Sequence, residues 1–186
     1  MPLYFAYGAN MDTDAMRARC PRSTPLGRAR LMRHRLALIA EGYATVTNDP
    51  RAAVHGVLWD LALSDVRALD AFESVSSGLY RKIIQPVFRE GSASSRALVY
   101  VGRPDASARP LPGYMESVIA SARQWELPDA YIRELEAFRA GTARAAPAAA
   151  GFRAPRPKPA TRAERDEAGN VKVRPRFASP LDRSRP

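Results

Sequence analysis

Residues 3–7, Leu-Tyr-Phe-Ala-Tyr, form an apolar run that ends in Gly8-Ala9-Asn10 just before a predicted helix. Glycine reaches backbone angles closed to other residues and lets a ligand approach the main chain. Successive amide N–H groups beside a helix start form a concavity suited to a carboxylate or an oxyanion. Taken alone, an ordinary strand-to-helix turn explains the pattern too. A second candidate is Glu73, which follows Val66 by seven residues and Leu69 by four. That spacing puts it on the apolar side of a predicted helix, while Asp65 and Asp70 lie farther round. A carboxylate on an apolar stripe must find a partner or rise in pKa, the state enzymes use for a general base. A Glu fraying into solvent at a helix end fits the periodicity equally well. Tyr80 and Tyr131 offer phenols that could orient a polar ligand, although a core or rim tyrosine explains either one alone.

The commoner catalytic arrangements fail. His34 stands between Arg33 and Arg35, and His55 lies inside an apolar strand, neither with a nucleophile at motif spacing. Cys20 precedes Pro21 and lacks a base, a position typical of packing. The chain has no GxxxxGK phosphate loop and no paired Cys/His metal spacing, so no metal and no cofactor are expected. Trp59 and Trp125 sit on apolar patterns and read as core.

Several elements must hold these residues in place. Asp12 or Thr13 can cap a short helix ending near Cys20. Residues 36–40, 44–47 and 54–61 read as strands, separated by Gly42 and by an Asn48-Asp49-Pro50 turn. Ser64 can cap the helix that carries Val66, Leu69 and Phe72. Residues 80–88 and 96–102 are strand-like, with Pro86 placing the former at an edge or bulge. Tyr114, Val118, Ile119, Ala122 and Trp125 define an amphipathic helix, and Leu127-Pro128-Asp129 opens a last one along Tyr131, Leu135 and Phe138. Strands outnumber helices without alternating strictly with them, so the fold class is α+β.

The chain has 186 residues, of which 46% are hydrophobic and 26% charged, which excludes a wholly disordered protein. No stretch approaches the ~20 apolar residues of a membrane span, and the N-terminus lacks a secretory pattern. One cysteine forms no internal disulfide, and a cytoplasmic protein is expected. The net charge of +10 is unevenly spread: residues 139–186 hold 12 basic and 4 acidic side chains, the other 138 residues 17 and 15. The basic character therefore belongs to a Pro/Arg/Ala-rich extension that lacks apolar periodicity and is expected to be disordered. We divide the chain into a domain over 1–138 and a tail over 139–186. A solvated extension is the favoured account of the tail; an electrostatic tether to nucleic acid is the alternative. The tail has no Tyr or Trp to stack bases and only two Phe.

The ordered segments YFAYGANM, VHGVLWDL, LDAFESV, GLYRK and ALVYV resemble the γ-glutamylcyclotransferase family, over about residues 3–138. The resemblance implies a small mixed domain whose twisted, barrel-like sheet is flanked by helices. It implies conversion of a γ-glutamyl amine or γ-glutamyl amino acid to 5-oxoproline with release of the free amine. The family's essential acid, in a Leu-Asp-x-x-Glu-Gly-Val segment, falls on Glu73. Its substrate-binding stretch falls on Tyr4, Phe5, Ala6, Tyr7, Gly8 and Ala9, continuing to Asn10; Tyr80 joins this set, and the family's distal tyrosine maps onto Tyr131. Two positions depart from the family: Ala9 replaces a Ser, and Ser74 stands where Gly usually follows the Glu. Asn10 differs from the Leu typical of the glutathione-specific branch, so glutathione is not the favoured substrate. The partner implied is a small γ-glutamyl molecule, with no membrane; the oligomeric state is left open. The departures motivate a second reading, a binding domain of the same fold without turnover.

Overall fold

The computed structural model describes residues 2–89 and 91–140. β1 (Leu3–Ala6) is the apolar run expected at the start of the chain. It leads through a 3-10 turn (Ala9–Met11) into α1 (Thr13–Arg19). Asp12 caps that helix, its Oδ1 accepting from the amides of Asp14 at 2.9 Å and Ala15 at 3.0 Å. These are donors that a helix start otherwise leaves unpaired.

Two long strands follow, β2 (Thr24–Leu38) and β3 (Ala44–Asp60). The Asn48-Asp49-Pro50 triplet, expected to be a turn, lies within β3. Met32 pairs with Ala53 and His34 with Asn48, so residues 49–52 all stand opposite Arg33, whose φ is 61°. The triplet thus marks a bulge in one long ribbon. The chain reverses instead around Gly42, where φ is 84°. No strand was expected over residues 24–35, yet exposed Arg28 and Arg30 alternate there with buried Ala29 and Leu31. That is the period of a half-buried strand.

β4 (Tyr80–Arg89) pairs antiparallel with β5 (Ser95–Gly102). Among the described residues it pairs with β2 at Phe88 and Arg89, beyond Pro86, whose missing N–H costs the second neighbour nothing. The order β1-β3-β2-β4-β5 closes into a barrel through the parallel pairing of Leu3 with Ala97. Closure pairs each strand with two neighbours, the β2–β4 and β1–β5 seams being short. Phe5, Leu31, Val57 and Val99 are among its buried core. A Cβ at Gly56 would lie 2.1 Å from the Ala6 carbonyl oxygen, so only glycine lets β1 approach β3 this closely.

The helices complete an α+β domain. A 3-10 turn (Leu63–Asp65) precedes α2 (Val66–Phe72), and the side chain of Ser64 does not cap it as expected. The Ser64 hydroxyl lies 3.4 Å from Asp65 Oδ1 instead. Asp65 reaches back along the chain: its Oδ2 accepts from Arg22 N at 3.0 Å and Ser23 Oγ at 2.8 Å. Ser23 Oγ in turn accepts from Ala62 N at 3.1 Å. The exit of α1 is thereby tied to the entry of α2, the helix that ends at Glu73. Replacing Asp65 by Ala leaves buried donors unpaired and is expected to cost about 2 to 3 kcal/mol in urea unfolding; an unchanged midpoint would remove this tie from the account.

α2 is followed by a 3-10 turn (Val75–Ser77) before β4. α3 (Tyr114–Gln124) and α4 (Asp129–Arg139) end the described region, the latter opening at Pro128 as the sequence suggests. α4 includes Arg139, one residue past the expected boundary. The rest of the extension expected to be disordered, from residue 141 onward, lies outside the described residues. Among the described residues, no helix is long and apolar enough to cross a membrane.

Candidate active site

The turn after β1 places Asn10 inside the protein, 3% exposed. The turn is closed by Met11 N donating to Gly8 O at 3.0 Å. Asn10 Nδ2 donates to Tyr4 Oη at 2.9 Å and to Glu73 Oε1 at 2.7 Å. Its Oδ1 accepts from Arg19 Nη1. The Arg19 guanidinium also lies 3.4 Å from the centroid of the Phe72 ring, at the end of α2. Glu73 itself is the C-terminal cap of α2, its N–H donating to Leu69 O at 2.9 Å. The four-residue offset noted in the sequence is therefore the one the helix uses.

Glu73 is half-buried, and desolvation pushes its carboxyl up to about 7, against the lowering effects of Arg19 and of the Asn10 hydrogen bond. A group poised there exchanges protons readily near neutrality. Five phenols surround it: Tyr4, Tyr7, Tyr80, Tyr100 and Tyr114. Burial raises each above the ordinary tyrosine value, and the Glu73 charge adds to the effect in every case. They are neutral hydrogen-bonding groups near pH 7. Tyr7 Oη donates to Tyr100 O, and Tyr80 Oη donates to Ala44 O at 2.7 Å. Tyr114 Oη accepts from Ala44 N at 3.1 Å. Tyr100 Oη donates to Asp70 Oδ1 at 2.6 Å, and Asp70 Oδ2 accepts from Lys82 Nζ at 2.8 Å. This last link ties α2 to β4 and β5.

Of the residues singled out in the sequence, Tyr4, Tyr7, Asn10 and Tyr80 converge on Glu73, with Gly8 and Ala9 in the turn between them. Phe5 and Ala6 are fully buried in the core, Phe5 beside Tyr7 with ring centroids 6.3 Å apart. Tyr131 is buried on α4, its ring centroid 5.1 Å from that of His55, and it interacts electrostatically with Tyr114 of the cluster. Beside Gly8 stands Tyr114, whose Oη would be 2.7 Å from a Cβ built on that glycine. Ser74 adopts φ 53° and ψ 43°, left-handed angles that cost an L-residue about 1 to 2 kcal/mol; a glycine preference at this position follows.

Sequence reasoning missed Arg19, Asp70, Tyr100 and Tyr114 as parts of this cluster. Tyr100 and Tyr114 fit apolar patterns and read as core. The overlooked signal was the number of tyrosines gathered on the elements that flank Glu73. Among the described residues, no group of three or more His, Cys, Asp and Glu side chains could hold a metal ion.

Fold and cluster together define the class: a small α+β barrel with a titratable carboxylate turned toward its first strand-to-helix turn. Residues 53–135 match the AIG2-like family. The chain is 33% identical over 147 residues to the mouse γ-glutamylcyclotransferase, an alignment covering 73% of this chain and 78% of the mouse protein. The human γ-glutamylcyclotransferase is 30% identical over 146 residues, with the same coverage. A solved γ-glutamyl cyclotransferase structure superposes with a TM-score of 0.68 at 29% identity, covering 73% of this chain and 86% of that one. The chain belongs to the γ-glutamylcyclotransferase family.

Proposed function

We propose that this chain closes a γ-glutamyl amine or γ-glutamyl amino acid into 5-oxoproline and releases the free amine, with Glu73 carrying the proton. The observation that carries this reading is the Glu73 carboxyl, raised to about 7 and hydrogen-bonded at 2.7 Å to Asn10 of the first turn. The substrate's α-ammonium stands beside a free α-carboxylate and titrates above the ~8 of a peptide N-terminus. Glu73, raised toward it by burial, accepts its proton. The freed amine attacks the γ-carbonyl carbon of the same molecule, forming the lactam C–N bond. The tetrahedral centre collapses: Glu73 gives its proton to the departing nitrogen as the original C–N bond breaks. The carboxylate then takes the extra proton from the new lactam nitrogen, to be passed to the released amine, which leaves as its ammonium. Reaction is intramolecular, so holding a near-attack conformer supplies on the order of 7 to 11 kcal/mol of the barrier reduction. No side-chain nucleophile is required. Main-chain amides around Gly8–Asn10 receive the α-carboxylate or the developing oxyanion, and the tyrosines orient the glutamyl portion. This assigns the activity to residues 1–138, a carbon–nitrogen bond-breaking enzyme of the cytoplasm.

The direct test is release of 5-oxoproline from a panel of γ-glutamyl amines and amino acids by the purified full chain. A folded protein inert on the whole panel sinks the reading. Because Glu73 must be deprotonated to act as base, kcat/KM is expected to rise about tenfold per pH unit on the acid side and level off near pH 7. A profile already flat from pH 5.5 would assign the proton transfer to another group.

A further inference from the structure

We propose that Arg19 is a positioning residue: it decides which way the Asn10 carboxamide faces and so holds Glu73 ready for proton transfer. The inference rests on the proposed role of Glu73. The two ends of a carboxamide are alike in shape and opposite in hydrogen bonding. Turned one way, Asn10 donates to the carboxylate; turned the other, it presents lone pairs to a negative charge. Asn10 is buried, so bulk water cannot compensate for a wrong orientation.

Arg19 breaks the tie. A guanidinium has only donors, so the group facing it must be an acceptor. Arg19 Nη1 donates to Asn10 Oδ1. The amide nitrogen is thereby directed at its two observed acceptors, Tyr4 Oη and Glu73 Oε1. Arg19 is itself held on the Phe72 ring, 3.4 Å away, one residue before Glu73. A planar cation on an aromatic face is a favourable and directional contact. One side chain thus spans the end of α1 and the end of α2, fixing both the donor and the helix end that carries its acceptor. Its charge also opposes the burial that raises Glu73. The other groups acting on Glu73 are Asn10 from the first turn, Tyr4 and Tyr7 from β1 and its end, Tyr80 from β4, Tyr100 from β5 and Tyr114 from α3. Arg19 is the cation in this set.

Steady-state kinetics of Arg19→Met and Arg19→Lys, with Glu73→Gln as the reference for lost chemistry, test the assignment. Arg19→Met is expected to lower kcat about 10- to 100-fold, as misplaced reacting groups do, with KM within about threefold. Its acid limb should move above that of the wild type. Arg19→Lys, which keeps a donor-only group, is expected to recover all but about fivefold of the wild-type rate. In an Asn10→Ala background, Arg19→Met should add less than about twofold, because the residue it acts through is gone. A purely structural arginine would not give this dependence.

Wild-type kcat and acid limb in Arg19→Met, equal losses in the Met and Lys variants, or independent multiplication with Asn10→Ala would each overturn the role of Arg19 while leaving Glu73 in place. If the wild-type protein released no 5-oxoproline, the enzymatic reading itself would fail. The Asn10 side-chain amide resonances then decide the Arg19 question: they should shift and broaden in Arg19→Met and stay unaltered if Arg19 does not orient them. Should Arg19→Met not fold, Arg19→Gln takes its place, since Gln can present either end to Asn10.

Discussion

Glu73→Gln is expected to lower kcat by a factor of about 100 to 10,000 and, at the same time, to stabilise the folded protein at alkaline pH. Both effects come from one desolvated carboxyl. Gln keeps the volume and an oxygen able to accept from Asn10 Nδ2, so the hydrogen bond at 2.7 Å can persist. It cannot take a proton from an ammonium group. The stability effect has a definite sign. The folded pKa is about 7 against an ordinary value of 4.5, so the folded state holds the proton more tightly than the unfolded chain. Stability therefore falls as pH rises from the unfolded pKa through the folded one, and the cost is complete above it. Glu73 is half-buried, so solvent screening reduces the full linkage value, leaving about 1 to 2 kcal/mol. Urea unfolding at pH 8 should show Glu73→Gln more stable than the wild type by that amount, with the gap closing toward pH 4.5. A variant that loses activity and also loses stability at pH 8 would show that the carboxylate is a structural anchor.

The parts of this site that were legible in the sequence are those fixed by neighbours in the chain. The first turn could be placed because Gly8, the Asp12 cap and Pro21 bracket a single short helix. Glu73 could be placed on the buried side because its relation to Leu69 is one helical turn, realised as a backbone hydrogen bond. The meeting of Asn10 with Glu73 spans 63 residues of separation, and only the resemblance to a family anticipated it. What the residues alone concealed was the ribbon that carries the barrel. The polar triplet at 48–50 has the composition of a turn, and a bulge uses the same residue types for the same reason: both need local backbone that leaves the ladder. The arginines of β2 obscured an alternation that Ala29 and Leu31 maintain in the core. Ser64 looked like a cap because its position before an apolar run is right, but a 3-10 turn starts there first and hands the junction to Asp65. Tyr114 was read as core for its place on an apolar stripe. It is indeed buried, but its hydroxyl end meets Gly8.

That contact makes Gly8→Ala the second substitution with a large expected effect, a loss of about 100-fold in kcat/KM. The new methyl would sit 2.7 Å from Tyr114 Oη, while its next neighbour, Ala44 Cβ, is at an ordinary 3.6 Å. The Tyr114 ring has little room to yield. It is buried and packs edge-on against Tyr43, with centroids 5.3 Å apart. Its hydroxyl also accepts from Ala44 N at 3.1 Å. Either the phenol moves and gives up that bond, or the turn moves and takes Asn10 away from Glu73. Both displace groups that the proposed reaction needs in register, and overpacking of this kind costs about 1 to 3 kcal/mol of stability as well. Tyr114→Phe distinguishes the clash from other effects, because it removes the atom the methyl meets. In the double variant the stability losses should be less than additive, since the second change relieves the first. The rate should not return, because Phe cannot replace the hydroxyl beside the turn. Wild-type kcat/KM in a folded Gly8→Ala protein would mean that substrate does not use this turn, and the proposed carboxylate or oxyanion cradle would have to be given up.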